Sequence, residues 1–184
     1  MAQIKGTNLA HTRAFVMKEF GELGLAKVRE GLGRETQSAF DSFVATNWYP
    51  ASIFVELVHA LDRTLGNGDG KILERAGAYG AEYDLTRIHR LLFRFANPGF
   101  VLEKSTEIWS RFFDTGEWQI SRPSPTSAEG VLRDFGIVDK ALCEYLRAYL
   151  RRLFELVGAK QVEVRHTECR ARGGKVCRFH GTWV

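Results

Sequence analysis

The sequence lacks the features that mark membrane and secreted proteins. Among its 184 residues no apolar run approaches the roughly 20 residues that are needed to cross a bilayer. Its first residues lack the apolar core of a secretory signal. Cysteine is scarce, and an odd total of 3 argues against a framework of disulfides and fits a reducing compartment. We therefore expect a cytoplasmic protein without a membrane span.

A strong imbalance of charge is also missing. The formal net charge is +4, and the basic residues are spread along the chain rather than gathered in a tail. Such a balance is typical of a solvated basic surface and is a weak indication of nucleic-acid binding. We expect no nucleic acid among the partners.

Recognisable catalytic motifs are absent as well. None of the histidines belongs to a Ser-His-Asp, Cys-His or HExxH arrangement. No glycine-rich loop follows a predicted strand and opens a helix, so the sequence gives no support to nucleotide binding. We expect a protein that is not an enzyme.

What is present is the composition and patterning of a globular α+β domain. Hydrophobic residues make up 45% of the chain and aromatic residues 12%. Apolar spacing predicts helices over residues 12–31, 35–45, 51–65, 71–95, 100–113 and 138–157. Alternating residues predict strands over 117–122, 161–167 and 175–184, with 123–127 as a linker. We predict a single domain over 1–184: a helical amino-terminal half packed with an antiparallel sheet, then a long helix and a carboxy-terminal β-hairpin.

The last quarter of the chain contains a spaced set of soft metal ligands, Cys143-x22-His166-x2-Cys169-x7-Cys177. Thiolates and an imidazole in a set of four suit a tetrahedral zinc ion and leave no open position for catalysis. The sequence therefore predicts a structural clamp between the long helix and the hairpin. The alternative is that the cysteines are small buried apolar residues. Glu168 and His180 are substitute ligands.

The register of the predicted hairpin decides whether these ligands meet. A two-residue Gly-Gly turn sets His166 opposite Gly181 and places Cys177 on the same face. Cys169 then points the other way unless pairing is irregular at about residues 167–170. A three-residue turn would instead make Cys169 and Cys177 direct neighbours and permit a disulfide. We favour the first register, with a bulge.

The stretch from Val164 to Phe179, with the helix that carries Cys143, resembles the closing motif of 4-vinyl reductase domains. These domains belong to a superfamily of nitric-oxide-signalling and Golgi-transport ligand-binding domains. It includes sensor domains of phenol- and xylene-responsive activators, haem nitric-oxide sensors and TRAPP vesicle-tethering subunits. The aromatic sensors hold zinc through three cysteines and a glutamate. The resemblance implies Cys143, Cys169 and Cys177 as ligands, with His166 at the place of the glutamate.

The amino-terminal part resembles an uncharacterised bacterial family related to the haem-sensor and TRAPP-like domains. The resemblance rests on Ile4-Lys-Gly-Thr, Asn47-Trp-Tyr-Pro50, Asn97-Pro-Gly99 and the stretch from Trp109 to Gly116. It implies a ligand-binding or protein-interaction module that is frequently a homodimer.

The family pocket lies between helices and sheet, so we expect it to bind an apolar or aromatic small molecule or a lipid. The candidate lining residues are Trp48, Phe93, Phe95, Trp109, Phe112 and Trp118, which would otherwise be ordinary core residues. The expected function is sensing or carriage of that ligand, with signalling through contacts to a regulatory protein. The alternative is a TRAPP-like scaffold or regulatory adaptor without a small ligand. Only His89 would serve as an axial haem ligand, and we do not expect haem as a cofactor.

Overall fold

The computed structural model describes residues 1–85 and 97–184 and has the predicted α+β architecture. The helices in the described residues are α1 (Thr7–Glu30), α2 (Arg34–Ser42), α3 (Ala51–Thr64), α4 (Lys71–Tyr83), α5 (Pro98–Phe112) and α6 (Lys140–Leu156). The strands are β1 (Gln3–Lys5), β2 (Trp48–Pro50), β3 (Glu117–Ser124), β4 (Ser127–Arg133), β5 (Glu163–Glu168) and β6 (Cys177–Thr182). None of the helices in these residues is both long and apolar enough to cross a membrane.

Two helices that shape the candidate site begin at side-chain caps. The Asp139 side chain accepts a hydrogen bond from the Leu142 backbone N–H at 2.9 Å, which starts α6 close to its predicted boundary. The Asn97 side chain accepts from the Phe100 N–H at 3.0 Å, and Pro98 occupies the first turn of α5. These caps satisfy backbone donors that have no partner within the helix.

The amino-terminal helix is longer than predicted and is kinked. It begins at Thr7 rather than at residue 12, and its backbone leaves the helical region at Gly21, where φ is 63°. The residues before it form β1, which pairs with β2 in a separate two-stranded sheet. The sequence pattern showed the glycine interruption, but a strand of three residues is too short to show an alternation.

A four-stranded antiparallel sheet forms the other layer, in the order β3-β4-β6-β5. The prediction of a linker over 123–127 is wrong, because that segment closes a hairpin between β3 and β4. Strand β4 was not predicted because its buried positions include the small residues Ala128 and Gly130. A Cβ atom at Gly130 would lie 2.5 Å from a ring carbon of Trp118, so the missing side chain makes room for that indole.

Helix α6 packs closely on α4, and this contact fixes its position over the sheet. A Cβ atom at Gly77 of α4 would lie 2.2 Å from the carbonyl oxygen of Tyr145 in α6, so only glycine permits this approach. The helix predicted over 71–95 is confirmed as far as Tyr83. Its later part lies outside the described residues.

Candidate functional site: a cysteine–histidine cluster beside an apolar cavity

The structure brings the four predicted metal ligands together. The ligand atoms of Cys143, His166, Cys169 and Cys177 all lie within 4.8 Å of one another. Cys143 belongs to α6, His166 to β5 and Cys177 to β6, and Cys169 follows β5 directly. Cys169 and Cys177 are buried, and all three cysteines are free. We refer to these four residues as the cysteine–histidine cluster.

Pairing between β5 and β6 is irregular at the place where the sequence required it. The register shifts between His166, which lies opposite Phe179, and Glu168, which lies opposite Arg178. The expected irregularity at residues 167–170 is thus confirmed, whereas the expected pairing of His166 with Gly181 is wrong. The shift leaves one unpaired position in β5, which allows Cys169 to turn toward the other ligands.

The connection after β5 is also longer than the predicted two-residue turn. Residues Arg170–Arg172 form a single turn of 3-10 helix, and Gly173 follows in the left-handed region with φ of 86°. The Cys169 carbonyl oxygen accepts hydrogen bonds from the backbone N–H groups of Arg172 at 3.0 Å and Gly174 at 2.9 Å. A Cβ atom at Gly174 would lie 2.9 Å from that oxygen. The two glycines therefore serve different needs, one a positive φ and the other a close approach.

Glu168 and His180, the substitute ligands, lie outside the cluster in the structure. The Glu168 carboxylate accepts hydrogen bonds from the backbone N–H groups of Lys175 at 2.9 Å and Val176 at 3.3 Å. These bonds, with Lys175 the larger contributor, lower the pKa of Glu168. Its carboxylate thus stabilises the loop that presents Cys169.

The cluster has the electrostatics of a thiol–thiolate pair. The sulfur atoms of Cys143 and Cys177 are 3.7 Å apart. The Cys143 thiol donates to the Cys177 sulfur, which lowers the pKa of Cys177 and, together with burial, raises that of Cys143. The neighbouring His166 lowers the pKa of Cys177 further. A ready thiolate is the form in which cysteine binds a metal.

His166 has an unsatisfied nitrogen. Its Nε2 atom is buried and has no hydrogen-bond partner among the described residues. The ring stacks on Phe179 with centroids 4.4 Å apart, which fixes its orientation. A metal at Nε2 would place the ring proton on Nδ1, so the Arg172 guanidinium, 3.4 Å from Nδ1, would donate instead to the His166 carbonyl oxygen, which it also contacts at 3.4 Å. Three sulfurs and an unpartnered imidazole nitrogen fit the donor set of a structural zinc site.

A cavity of about 130 Å³ lies between α5, α6 and the inner face of the four-stranded sheet. Three of the predicted pocket residues line it: Trp109 and Phe112 from α5 and Trp118 from β3. The two indoles stack with centroids 5.6 Å apart. The cavity wall is almost entirely aliphatic and aromatic.

The other predicted pocket residues are not part of this wall. Trp48 is 38% exposed, and the Lys5 ammonium lies 4.1 Å above its ring. Assigning Trp48 to the pocket is therefore a wrong prediction, because β2 pairs with β1 and not with the sheet that bounds the cavity. Phe93, Phe95 and also His89 lie outside the described residues.

Helix α6 supplies the part of the wall that sequence reasoning did not assign to the pocket. Its contribution is the residues Leu142, Tyr145, Leu146, Tyr149, Leu150, Leu153 and Phe154. Their helical spacing predicts burial, but it does not distinguish a packed core from a cavity wall. Cys143 belongs to the same helix, so α6 connects the cavity with the cysteine–histidine cluster.

A small polar group interrupts the apolar wall. Asp84 lines the cavity, is 1% exposed and accepts a hydrogen bond from the Tyr149 hydroxyl at 2.9 Å. His11 lies 3.4 Å from its other oxygen. Burial, followed by the charge of Asp84, raises the pKa of Tyr149, so that its hydroxyl stays protonated and donates. The Tyr145 hydroxyl is buried without a hydrogen-bond partner among the described residues. These four residues form what we call the polar cluster.

Residues 129–182 match the model of the 4-vinyl reductase domain. The matched segment contains most of β4, all of α6, β5 and β6, and the cysteine–histidine cluster. No curated protein matches the sequence.

Solved structures of H-NOX proteins share the fold over nearly the whole chain. An H-NOX protein from S. oneidensis in the Fe(II)NO state has a TM-score of 0.74 at 13% identity, covering 98% of this chain and 99% of that chain. An oxygen-binding H-NOX domain related to soluble guanylate cyclases has a TM-score of 0.73 at 11% identity, covering 98% and 95%. The Fe(II) unliganded H-NOX protein from K. algicida has a TM-score of 0.69 at 12% identity, covering 98% and 97%.

The expectation against haem is contradicted by these similarities. The fold is the one found in H-NOX structures, one of which was determined in work on heme redox potential and porphyrin distortion. In the described residues the cavity supplies apolar walls for such a group, but its lining includes no histidine, cysteine or methionine. The described part of the lining therefore offers haem a wall but no axial ligand.

Proposed function

We propose that this chain is a non-enzymatic sensing or carrier domain that binds a small apolar or aromatic molecule in the cavity between α5, α6 and the sheet. The observation that carries the proposal is a mostly apolar cavity with a few buried polar groups, a composition that is usual for ligand sites. Its volume of about 130 Å³ favours a ligand with a single ring. An engineered apolar cavity of about 150 Å³ binds benzene. The H-NOX fold agrees with a ligand-binding role.

We further propose that the cysteine–histidine cluster holds a structural zinc ion. The four ligands would occupy every position of a tetrahedral ion and leave none for a substrate. The ion would connect α6 to the β5–β6 hairpin, and its binding would contribute to folding. Since α6 also forms a wall of the cavity, the clamp would hold that wall in place.

Signalling by such a domain would proceed through contacts with a second copy or with a regulatory protein. Light scattering on the purified protein, with and without ligand, would measure the oligomeric state. A homodimer whose stability changes with ligand supports this route. A monomer that stays unchanged at saturation counts against it.

The first experiment is a ligand screen on protein purified without added metal. Titration calorimetry with toluene and ethylbenzene, compared with decane, tests the expected preference for a single ring. A ligand that binds the folded state also raises the melting temperature. Absence of binding and of any thermal shift across these compounds would overturn the proposed function.

Haem belongs in the same screen. Addition of haem to the purified protein, followed by absorbance near the Soret band, reports whether the cavity region takes it up. Competition between haem and toluene would show that both use the cavity. Haem uptake that excludes every small ring would replace the single-ring proposal with haem as the ligand.

A further inference from the structure

Asp84 is the one acidic side chain among the described residues that line the cavity. It is 1% exposed, and its two described partners are Tyr149 at 2.9 Å and His11 at 3.4 Å. A carboxylate offers about four acceptor positions, so these partners leave it able to accept further hydrogen bonds. A buried acceptor of this kind distinguishes ligands that an apolar wall cannot distinguish.

The surrounding wall makes Asp84 decisive for ligand choice. Burying a hydroxyl or amine without a partner costs free energy, and the apolar lining supplies few other acceptors. Asn8 and Ser105 also line the cavity, but Asn8 donates to the Lys5 carbonyl oxygen and Ser105 to the Leu102 carbonyl oxygen. A donor on the ligand is therefore satisfied best at Asp84, whereas a ligand carboxylate would meet a like charge in a region of low dielectric.

We infer that the ligand is a neutral single-ring compound that carries a hydrogen-bond donor, an amine or an alcohol, and that Asp84 accepts this hydrogen bond. The inference rests on the proposed function and names the chemical class of its ligand. Binding sites that hydrogen-bond a donor reject analogues without it more strongly than apolar pockets distinguish shapes. The cavity would thus prefer aniline to toluene, although the two molecules have nearly the same size.

The test compares four one-ring probes by titration calorimetry: aniline, benzyl alcohol, toluene and benzoate. We expect aniline and benzyl alcohol to bind at least roughly tenfold more tightly than toluene, which is the range for a hydrogen bond to a charged group. Benzoate should bind most weakly. Equal affinities for aniline and toluene, or strongest binding of benzoate, would overturn the inference and leave the proposed function intact. Failure of all four probes would refute both.

Variants locate the preference at Asp84. Asp84→Asn should reduce the ratio of aniline to toluene affinity toward one and should weaken the exclusion of benzoate. Ser105→Ala is the matched control, because its hydroxyl is already bonded within α5, and it should keep the wild-type ranking.

Tyr149→Phe covers the case in which Asp84→Asn does not fold. This variant keeps the carboxylate and frees one acceptor position on Asp84. The preference for aniline should then be retained or increase. A preference that vanishes in Tyr149→Phe while the protein stays folded would place the recognition on the tyrosine and not on Asp84.

Discussion

The cysteine–histidine cluster and the apolar cavity share helix α6 but are built on opposite principles. In the cluster four specific atoms converge within 4.8 Å, and each comes from a different position in the chain. In the cavity many interchangeable apolar side chains surround a space of about 130 Å³. Apolar surfaces tolerate exchanges that conserve volume, whereas a coordination site requires each donor atom. We therefore expect single substitutions in the cluster to have larger effects than those in the cavity.

The largest effect is expected from Cys177→Ser. The variant should lose the bound metal, from about one zinc ion per chain to none, because a structural site needs all four ligands. The melting temperature should fall strongly, since structural zinc sites contribute roughly 10 kcal/mol or more to folding in zinc-finger peptides. Metal analysis and thermal denaturation measure both quantities.

His180→Ala is the control for this variant, because His180 lies on the same strand as Cys177 but outside the cluster. It should leave metal content and melting temperature unchanged. A wild-type protein that carries no metal and keeps full stability in the presence of a strong chelator would refute the zinc clamp.

The next effect concerns the two tyrosines of the polar cluster. Tyr149→Phe removes the hydrogen bond to buried Asp84 and should lower the free energy of unfolding by about 1.5–3 kcal/mol. Tyr145→Phe removes a buried hydroxyl without a partner among the described residues and should change it by less than about 0.5 kcal/mol, or stabilise the protein. Urea denaturation of both variants gives the comparison. Equal losses would show that the Tyr145 hydroxyl has a partner of similar strength.

The loop that presents Cys169 should respond to a single methyl group. Gly174→Ala places a Cβ atom against the Cys169 carbonyl oxygen and should cost about 1–3 kcal/mol and weaken metal binding. Gly173→Asn should cost less than about 1 kcal/mol, because asparagine tolerates the left-handed region. Metal titration with a competing chelator ranks the two variants. A weaker metal affinity in Gly173→Asn than in Gly174→Ala would contradict the assigned roles.

The smallest effect on stability is expected from filling the cavity. Ala128→Leu adds apolar volume to the wall, and it should weaken toluene binding at least tenfold while changing the free energy of unfolding by less than about 2 kcal/mol. Metal content should not change, which separates the two regions. Val131→Ile, on the same strand but outside the cavity lining, should bind toluene normally. Unimpaired binding to Ala128→Leu would place the ligand elsewhere.

The sequence predicted the cluster better than the cavity, for a chemical reason. Cys143, His166, Cys169 and Cys177 belong to residue types that bind soft metals, so their identity and spacing pointed to one another. The aromatic residues of the cavity are equally suited to an ordinary core. Trp109 and Trp118 were assigned correctly, but Trp48 was not, because an indole has the same pattern on an edge strand as in a wall.

Local patterning determined most of the helices, the caps of α5 and α6 and the need for an irregular strand before Cys169, since each depends on neighbouring residues. Tertiary structure alone decided the exact register of β5 on β6, the presence of β4 and the polar cluster. Asp84 and His11 are distant in sequence, and Asp84 and Tyr149 come from different helical segments. Such pairs depend on how helices and sheet pack, which no local periodicity encodes. The metal ligands were therefore predictable from the sequence, whereas the place and chemistry of the ligand cavity were decided only by packing.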